Sequence, residues 1–144
     1  MAAYHRFALA RVLVIDDSPV MHRLVAATLR FVEVQLDGAD DGPAGLLSAT
    51  EKPPDVIVLD LGLPLLDGWQ VLERLKANPN TGNIPILILT GMSVETAQQR
   101  AKESGASAFM TKPFKPEELR RTIISLLEQA RIGWRGQPNG SLAT

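Results

Sequence analysis

The 144-residue chain contains no cysteine, which excludes disulfides, thiolate metal sites and thiol nucleophiles. It has no excess of base. Its 15 Lys and Arg stand against 16 Asp and Glu, a formal net charge of −1, so no basic stripe exists to release counterions from nucleic acid. Long apolar runs are missing too: the opening segment MAAYHRFALARVLVIDD meets Asp16 before a signal-peptide stretch is complete, and nothing later approaches the length that spans a bilayer. These absences set aside nucleic acid and membrane as direct partners, and the expectation is a soluble cytoplasmic protein. There is no internal repeat. With 45% hydrophobic and 22% charged residues the composition is that of an ordinary globular protein, and the length suits one domain.

What is present is a set of short runs that are apolar on both alternating faces: VLVI at 12–15, VIVL at 56–59, ILIL at 86–89 and AFM at 108–110. Such runs read as strands buried on both sides, the mark of a parallel sheet covered by helices. A more polar stretch at 32–36 alternates and suits an edge strand. Helical patterns lie between. The first covers 19–30, with Ser18 as N-cap, Pro19 at the first helical position and a stripe of Val20, Leu24, Val25 and Leu29 for the core. The last starts near Pro116 and reaches Ala130, with Glu117 and Glu118 where the helix dipole favours acids, and buries Leu119, Ile123, Leu126 and Leu127. Two are weaker. The helix at 43–50 contains Gly45, and the one from Val94 to Ser104 offers only Val94, Ala97 and Ala101 to the core before stopping at Gly105. Alternating strands and helices joined by short loops predict right-handed crossovers and a doubly wound α/β sheet. The expected organisation is an extension at 1–10, a domain at 11–130 and a disordered tail at 131–144.

The ends of the strands carry the chemistry, because ligands in open α/β sheets bind outside the carboxyl ends of the strands. The first strand ends in Asp16-Asp17, the third in Asp60, the fourth in Thr90-Gly91 and the fifth in Thr111-Lys112-Pro113. Singly, each has an ordinary explanation. An Asp before Ser-Pro caps a helix, Thr90 is a β-branched strand residue, and Lys112 is a solvated loop charge. Asp60 resists this, because carboxylates seldom end a buried strand without a partner. Three acids converging on one rim repel one another unless a positive charge sits between them, and a hard divalent ion such as Mg²⁺ answers that need with oxygen ligands. A carboxylate, a metal, a hydroxyl and a lysine are also what phosphoryl transfer requires.

The pieces VLVIDDS, VLDLGLPLLDG, ILILTG and MTKPF, in that order, resemble the receiver domains of two-component response regulators over about residues 11–130. The resemblance implies the flavodoxin-like strand order 2-1-3-4-5, a fold for which a chemotaxis receiver is a standing example. It implies Asp60 as phosphoacceptor, and Mg²⁺ held by Asp17, Asp60 and the backbone carbonyl of Gly62, with Asp16 contributing through water. Thr90 and Lys112 would hold phosphoryl oxygens. Thr90 and Phe109 would form the switch, although Phe109 also reads simply as a core residue of the last strand. The donor would be a sensor histidine kinase or a histidine phosphotransfer protein. The listener would be a protein docking on the face made by the Val94 to Ser104 helix, the Phe109 strand and the helix starting at Pro116. Pro64 and Gly68 would lead the chain from the site into a helix near Trp69, Gly91 would leave room beside Thr90, and the Lys112-Pro113 bond would be cis. The family's Met is replaced by Leu63, a change of similar volume.

Three other readings compete. A haloacid-dehalogenase-like phosphatase also uses a strand-end Asp with Mg²⁺, but needs a second Asp two residues on, where Gly62 stands. A dinucleotide-binding domain needs a glycine-rich turn after the first strand, and Asp-Asp-Ser-Pro would repel a pyrophosphate. A pseudo-receiver, a binding module with the fold but no phosphorylation, is opposed by the intact acids, Thr90 and Lys112; the receiver reading itself implies a signalling protein that stops at one phosphoryl group, not an enzyme.

Overall fold

The computed structural model describes residues 5–135. In chain order it consists of β1 (His5–Ile15), α1 (Pro19–Thr28), β2 (Val32–Ala39), α2 (Gly42–Glu51), β3 (Val56–Leu59), α3 (Gly68–Ala77), β4 (Ile86–Thr90), α4 (Val94–Glu103), β5 (Ala108–Thr111) and α5 (Pro116–Arg135). The strands form one parallel sheet in the order 2-1-3-4-5, the expected doubly wound α/β fold. Its central strands are buried on both faces, so β3 and β4 are apolar at every position up to Thr90. One core layer holds Val12, Val14, Val58 and Leu87 against α1 and α5; the other holds Leu13, Ile15, Ile57 and Leu59 against α2 and α3.

The structure moves several expected boundaries. Residues 1–4 of the expected extension lie outside the described residues, but β1 begins at His5, because HRFALAR holds no Gly or Pro to stop it and the start of β2 supplies partners at His5↔Val32 and Arg6↔Glu33. β2 continues through Asp37 and Gly38 to Ala39, since the ladder to β1 persists to Ile15↔Ala39. α5 runs past Ala130 to Arg135, so residues 131–135 are helical, and the rest of the expected tail, residues 136–144, lies outside the described ones. Gly133 disfavours a helix by only about 1 kcal/mol, too little to end one already formed.

The stripe assigned to α1 is corrected. Met21, Val25 and Leu29 are buried, whereas Val20 and Leu24 are 53% and 47% exposed. Two adjacent i,i+4 rows of this helix are apolar, and packing beside α5 selects the row led by Met21. Ser18 caps α1 as expected, its hydroxyl accepting from the Met21 N–H at 3.3 Å. In α4, Ala97 and Ala101 are buried as expected, while the side chain of Val94 lies outside the described ones. Gly105 follows α4 at φ +98°, and the Ala106 N–H returns to the Ala101 carbonyl, closing the helix with a left-handed cap.

Candidate functional site

At the carboxyl ends of β1 and β3 the fold brings together the three carboxylates that the sequence scatters over 45 positions. Asp16, Asp17 and Asp60 each offer an oxygen within 4.8 Å of the others. Asp16 and Asp60 are 3% and 7% exposed, whereas Asp17 is exposed to solvent. Lys112 reaches in from the end of β5, its Nζ 2.8 Å from Asp16 Oδ2 and 3.3 Å from Asp60 Oδ2. The Lys112-Pro113 bond is cis, as expected. One ammonium among three carboxylates leaves two negative charges uncompensated, and the donor atoms that the three acids offer are all oxygens. That set suits a hard divalent cation such as Mg²⁺.

Gly62, Thr90, Gly91 and Phe109 lie around this cluster or on the strand beside it. The Gly62 N–H donates to Asp60 Oδ1 at 3.2 Å, so the β3–α3 loop folds over the acid. Thr90 ends β4 almost fully buried, its hydroxyl oxygen accepting weakly from the Met92 N–H at 3.4 Å. Gly91 and Gly62 have open space where a side chain would stand, so the pocket is accessible from above. Phe109 is partly buried on β5 and separates two surface cavities of about 330 and 260 Å³, which share Gln98 and Phe109 in their walls. Leu65, in the β3–α3 loop, is largely exposed to solvent at φ +68°. Sequence reasoning missed one feature of the site. Gly68 was read as part of a turn, but it opens α3 directly beneath Asp60, its N–H donating to the Leu61 carbonyl at 2.9 Å. The only signal was its position after Asp67 in the capping sequence Asp67-Gly68-Trp69-Gln70.

Burial disfavours the charged form of Lys112, but its hydrogen bond to Asp16 and the charges of Asp60 and Asp16 outweigh that, holding its pKa above the ordinary 10.5. A raised pKa means that the folded state gains stability from the ammonium below pH 10.5 and loses it as pH rises through the folded value. With chelator present, Lys112→Met is therefore expected to be less stable than the parent at pH 8, on the order of 2 kcal/mol for stranding two buried carboxylates. The gap narrows above pH 10.5. Denaturant midpoints from pH 8 to 11.5 check this; a gap that widens with pH would contradict the pairing.

An open parallel sheet whose strand ends gather three carboxylates and one lysine at a single rim defines an α/β module with an acidic, cation-seeking pocket rather than one that cradles a pyrophosphate. The chain belongs to the response regulator receiver domain family, whose model matches residues 12–124. It is 34% identical to the protein PilH of Pseudomonas aeruginosa over 119 residues, which cover 83% of this chain and 98% of that one. It is 37% identical to the DNA-binding dual master transcriptional regulator RpaA of Synechocystis over 119 residues, 83% of this chain but 49% of RpaA. Among solved structures, the chemotaxis protein CheY4 of Vibrio cholerae superposes with a TM-score of 0.76 at 31% identity, covering 83% of this chain and 99% of CheY4. The chain spans about half the length of RpaA and about a quarter (26%) of PleD of Caulobacter vibrioides, to which it is 38% identical. Receiver domains are signalling modules of two-component systems; they take phosphoryl groups from histidine kinases or phosphotransfer proteins and bind Mg²⁺ at an acidic pocket. Among the described residues no helix is long and apolar enough to cross a membrane.

Proposed function

We propose that this chain accepts a phosphoryl group from a phosphohistidine onto Asp60 and, once modified, presents an altered surface to a downstream protein. The observation that carries the reading is the charge balance of the pocket, three carboxylates around one ammonium. Asp17, Asp60 and the Gly62 carbonyl would hold Mg²⁺, with Asp16 acting through water; when bound, the ion supplies charge neutralisation for an incoming anion. An Asp60 carboxylate oxygen attacks phosphorus, a P–O bond forms as the P–N bond of the donor breaks, and the imidazole leaves with the electron pair and takes a proton from solvent. Lys112 and Thr90 would donate to the phosphoryl oxygens, a role supported by the Lys112 pairing with Asp60 and the buried end of β4, and the open space at Gly91 would admit the donor ring. The donor is a sensor histidine kinase or a phosphotransfer protein, and the setting is the cytoplasm.

The signal leaves through α4, β5 and α5. α4 is lightly anchored: among its described side chains Ala97 and Ala101 are buried, its N-cap Ser93 makes no side-chain bond, and Arg100 lies 4.1 Å over the Trp69 ring of α3. Shifting it exposes little apolar area at roughly 25 cal/mol per Å². Drawing the Thr90 hydroxyl toward a dianion on Asp60 opens space behind β4 for Phe109, which already stands between two cavities beside α4.

Metal dependence tests the first step. The parent's melting temperature should rise with Mg²⁺, and Asp17→Asn should weaken Mg²⁺ binding by at least about 10-fold, one ligand charge having gone. Without metal the variant should be as stable as the parent or more so, because carboxylate repulsion is relieved. A parent protein whose melting temperature ignores Mg²⁺ would remove the metal from this reading.

A further inference from the structure

Every polar atom of Asp16 is engaged. Its N–H donates to the Ala39 carbonyl at 3.0 Å, its Oδ1 accepts from the Ser18 N–H at 2.9 Å, and its Oδ2 pairs with Lys112 at 2.8 Å. The fourth partner comes from a residue that nothing so far has used. The Nε2 of His22, one turn into α1, lies 2.7 Å from the Asp16 carbonyl oxygen. A carbonyl only accepts, so the ring must carry its proton on Nε2. Room for the ring is provided by Gly38, at the end of β2: a Cβ there would stand 2.9 Å from His22 Nδ1 and 3.0 Å from Cε1. Asp40 Oδ1 is 3.6 Å from the same Nε2, too far for a hydrogen bond and highly exposed.

We infer that His22 is a positioning residue for the acidic pocket: by clamping the Asp16 carbonyl it fixes the Asp16-Asp17 peptide, and so sets where the Asp17 carboxylate stands for a divalent cation. The inference rests on the metal reading above. The backbone between Asp16 and Asp17 has no other tether of its own on the carbonyl side, and Asp17 is exposed, with no ion pair or hydrogen bond from its side chain among the described residues. Its place at the pocket therefore follows from the main chain that carries it. Partners that orient a metal site without touching the metal commonly account for about 10- to 100-fold in affinity. The clamp also explains a glycine within the β1–β2 ladder, one residue before its end, where glycine is otherwise unfavourable.

The experiment is Mg²⁺ titration, read as a dissociation constant, on the parent and four variants of the full chain. His22→Ala should weaken Mg²⁺ by about 10-fold. Gly38→Ala should do the same with the histidine still present, because the added methyl displaces the ring. His22→Gln, whose amide nitrogen reaches the place of Nε2, should restore near-parental affinity, while His22→Asn, which offers a donor only at the place of Nδ1, should not. A purely structural histidine would not distinguish the last two. Nitrogen chemical shifts of the His22 ring at pH 8 give a second readout that needs no metal: the Nε2–H form is expected, and the Nδ1–H form would overturn the clamp. Parental affinity in both His22→Ala and Gly38→Ala would also overturn it. A parent that binds no Mg²⁺ would instead sink the metal reading, whatever the ring shows.

Discussion

Asp60→Asn is expected to stay free of phosphate after incubation with acetyl phosphate and Mg²⁺, while the parent gains a single phosphoryl group. The carboxamide is neutral and its oxygen is a poor nucleophile, so the bond-forming step is lost, not slowed by a modest factor. The other two acids do not substitute. Asp16 is held more tightly than Asp60, at 2.9 Å by the Ser18 N–H and 2.8 Å by Lys112 against 3.2 and 3.3 Å for the contacts of Asp60, and Asp17 lacks a lysine to receive the incoming charge. The variant should nevertheless fold. Its amide oxygen can keep the contact with Lys112, the lost partner is the long 3.2 Å bond from the Gly62 N–H, and removing one of three clustered negative charges offsets the loss, leaving a net change within about 1 kcal/mol. Intact-mass measurement on both proteins decides it. The same adduct on Asp60→Asn would reassign the nucleophile, and a parent that gains nothing would leave the pocket as a metal site alone.

Those parts of the molecule whose environment is symmetric were legible in the sequence. β3 and β4 are covered on both faces, so their residues are apolar without interruption, and the switch to Asp60 and Thr90 marks where the sheet meets solvent. The acids, Thr90 and Lys112 were legible for the same reason: polar groups at the ends of buried strands need a partner, and the topology leaves only one rim to supply it. What depends on a choice between near-equal local options was not legible. In α1 the rows Val20-Leu24 and Met21-Val25-Leu29 are equally apolar, and only the position of α5 decides between them. The continuation of β2 through Asp37 and Gly38 is another case, because those residue types usually stop a strand; here Arg11 pairs with Asp37 at 2.9 Å, and Gly38 makes room for His22. A glycine that ends a strand by propensity and one that admits a neighbouring ring look the same in one dimension.

Gly68→Ala is expected to be the most damaging single-methyl change near the site, and the reasoning turns on which of two opposed effects is larger. Gly68 is the first residue of α3, after the Asp67 cap, and alanine in a helix is favoured over glycine by roughly 0.5–1 kcal/mol. Propensity alone would make the variant more stable. Packing says otherwise: a Cβ on Gly68 would lie 2.3 Å from the Asp60 carbonyl oxygen and 2.3 Å from Leu61 Cα, both main-chain atoms at the end of a buried strand. Neither can swing aside as a side chain would, so α3 must lift off β3, breaking the 2.9 Å bond from the Gly68 N–H to the Leu61 carbonyl. Overpacking against a rigid neighbour commonly costs 1–3 kcal/mol, and with backbone on both sides of the contact a net loss of about 3 kcal/mol or more is expected, well beyond the propensity gain. Because the displaced atoms belong to Asp60 and its neighbour, the protein that remains folded should also be phosphorylated more slowly. Gly62→Ala is the control, since its Cβ would meet nothing within 4 Å and should change stability by no more than about 0.5 kcal/mol. Denaturant midpoints of the two variants separate the effects. If Gly68→Ala is as stable as Gly62→Ala, α3 is not seated on the main chain of Asp60, and the close approach that holds the pocket's floor in place is not what orients the acid.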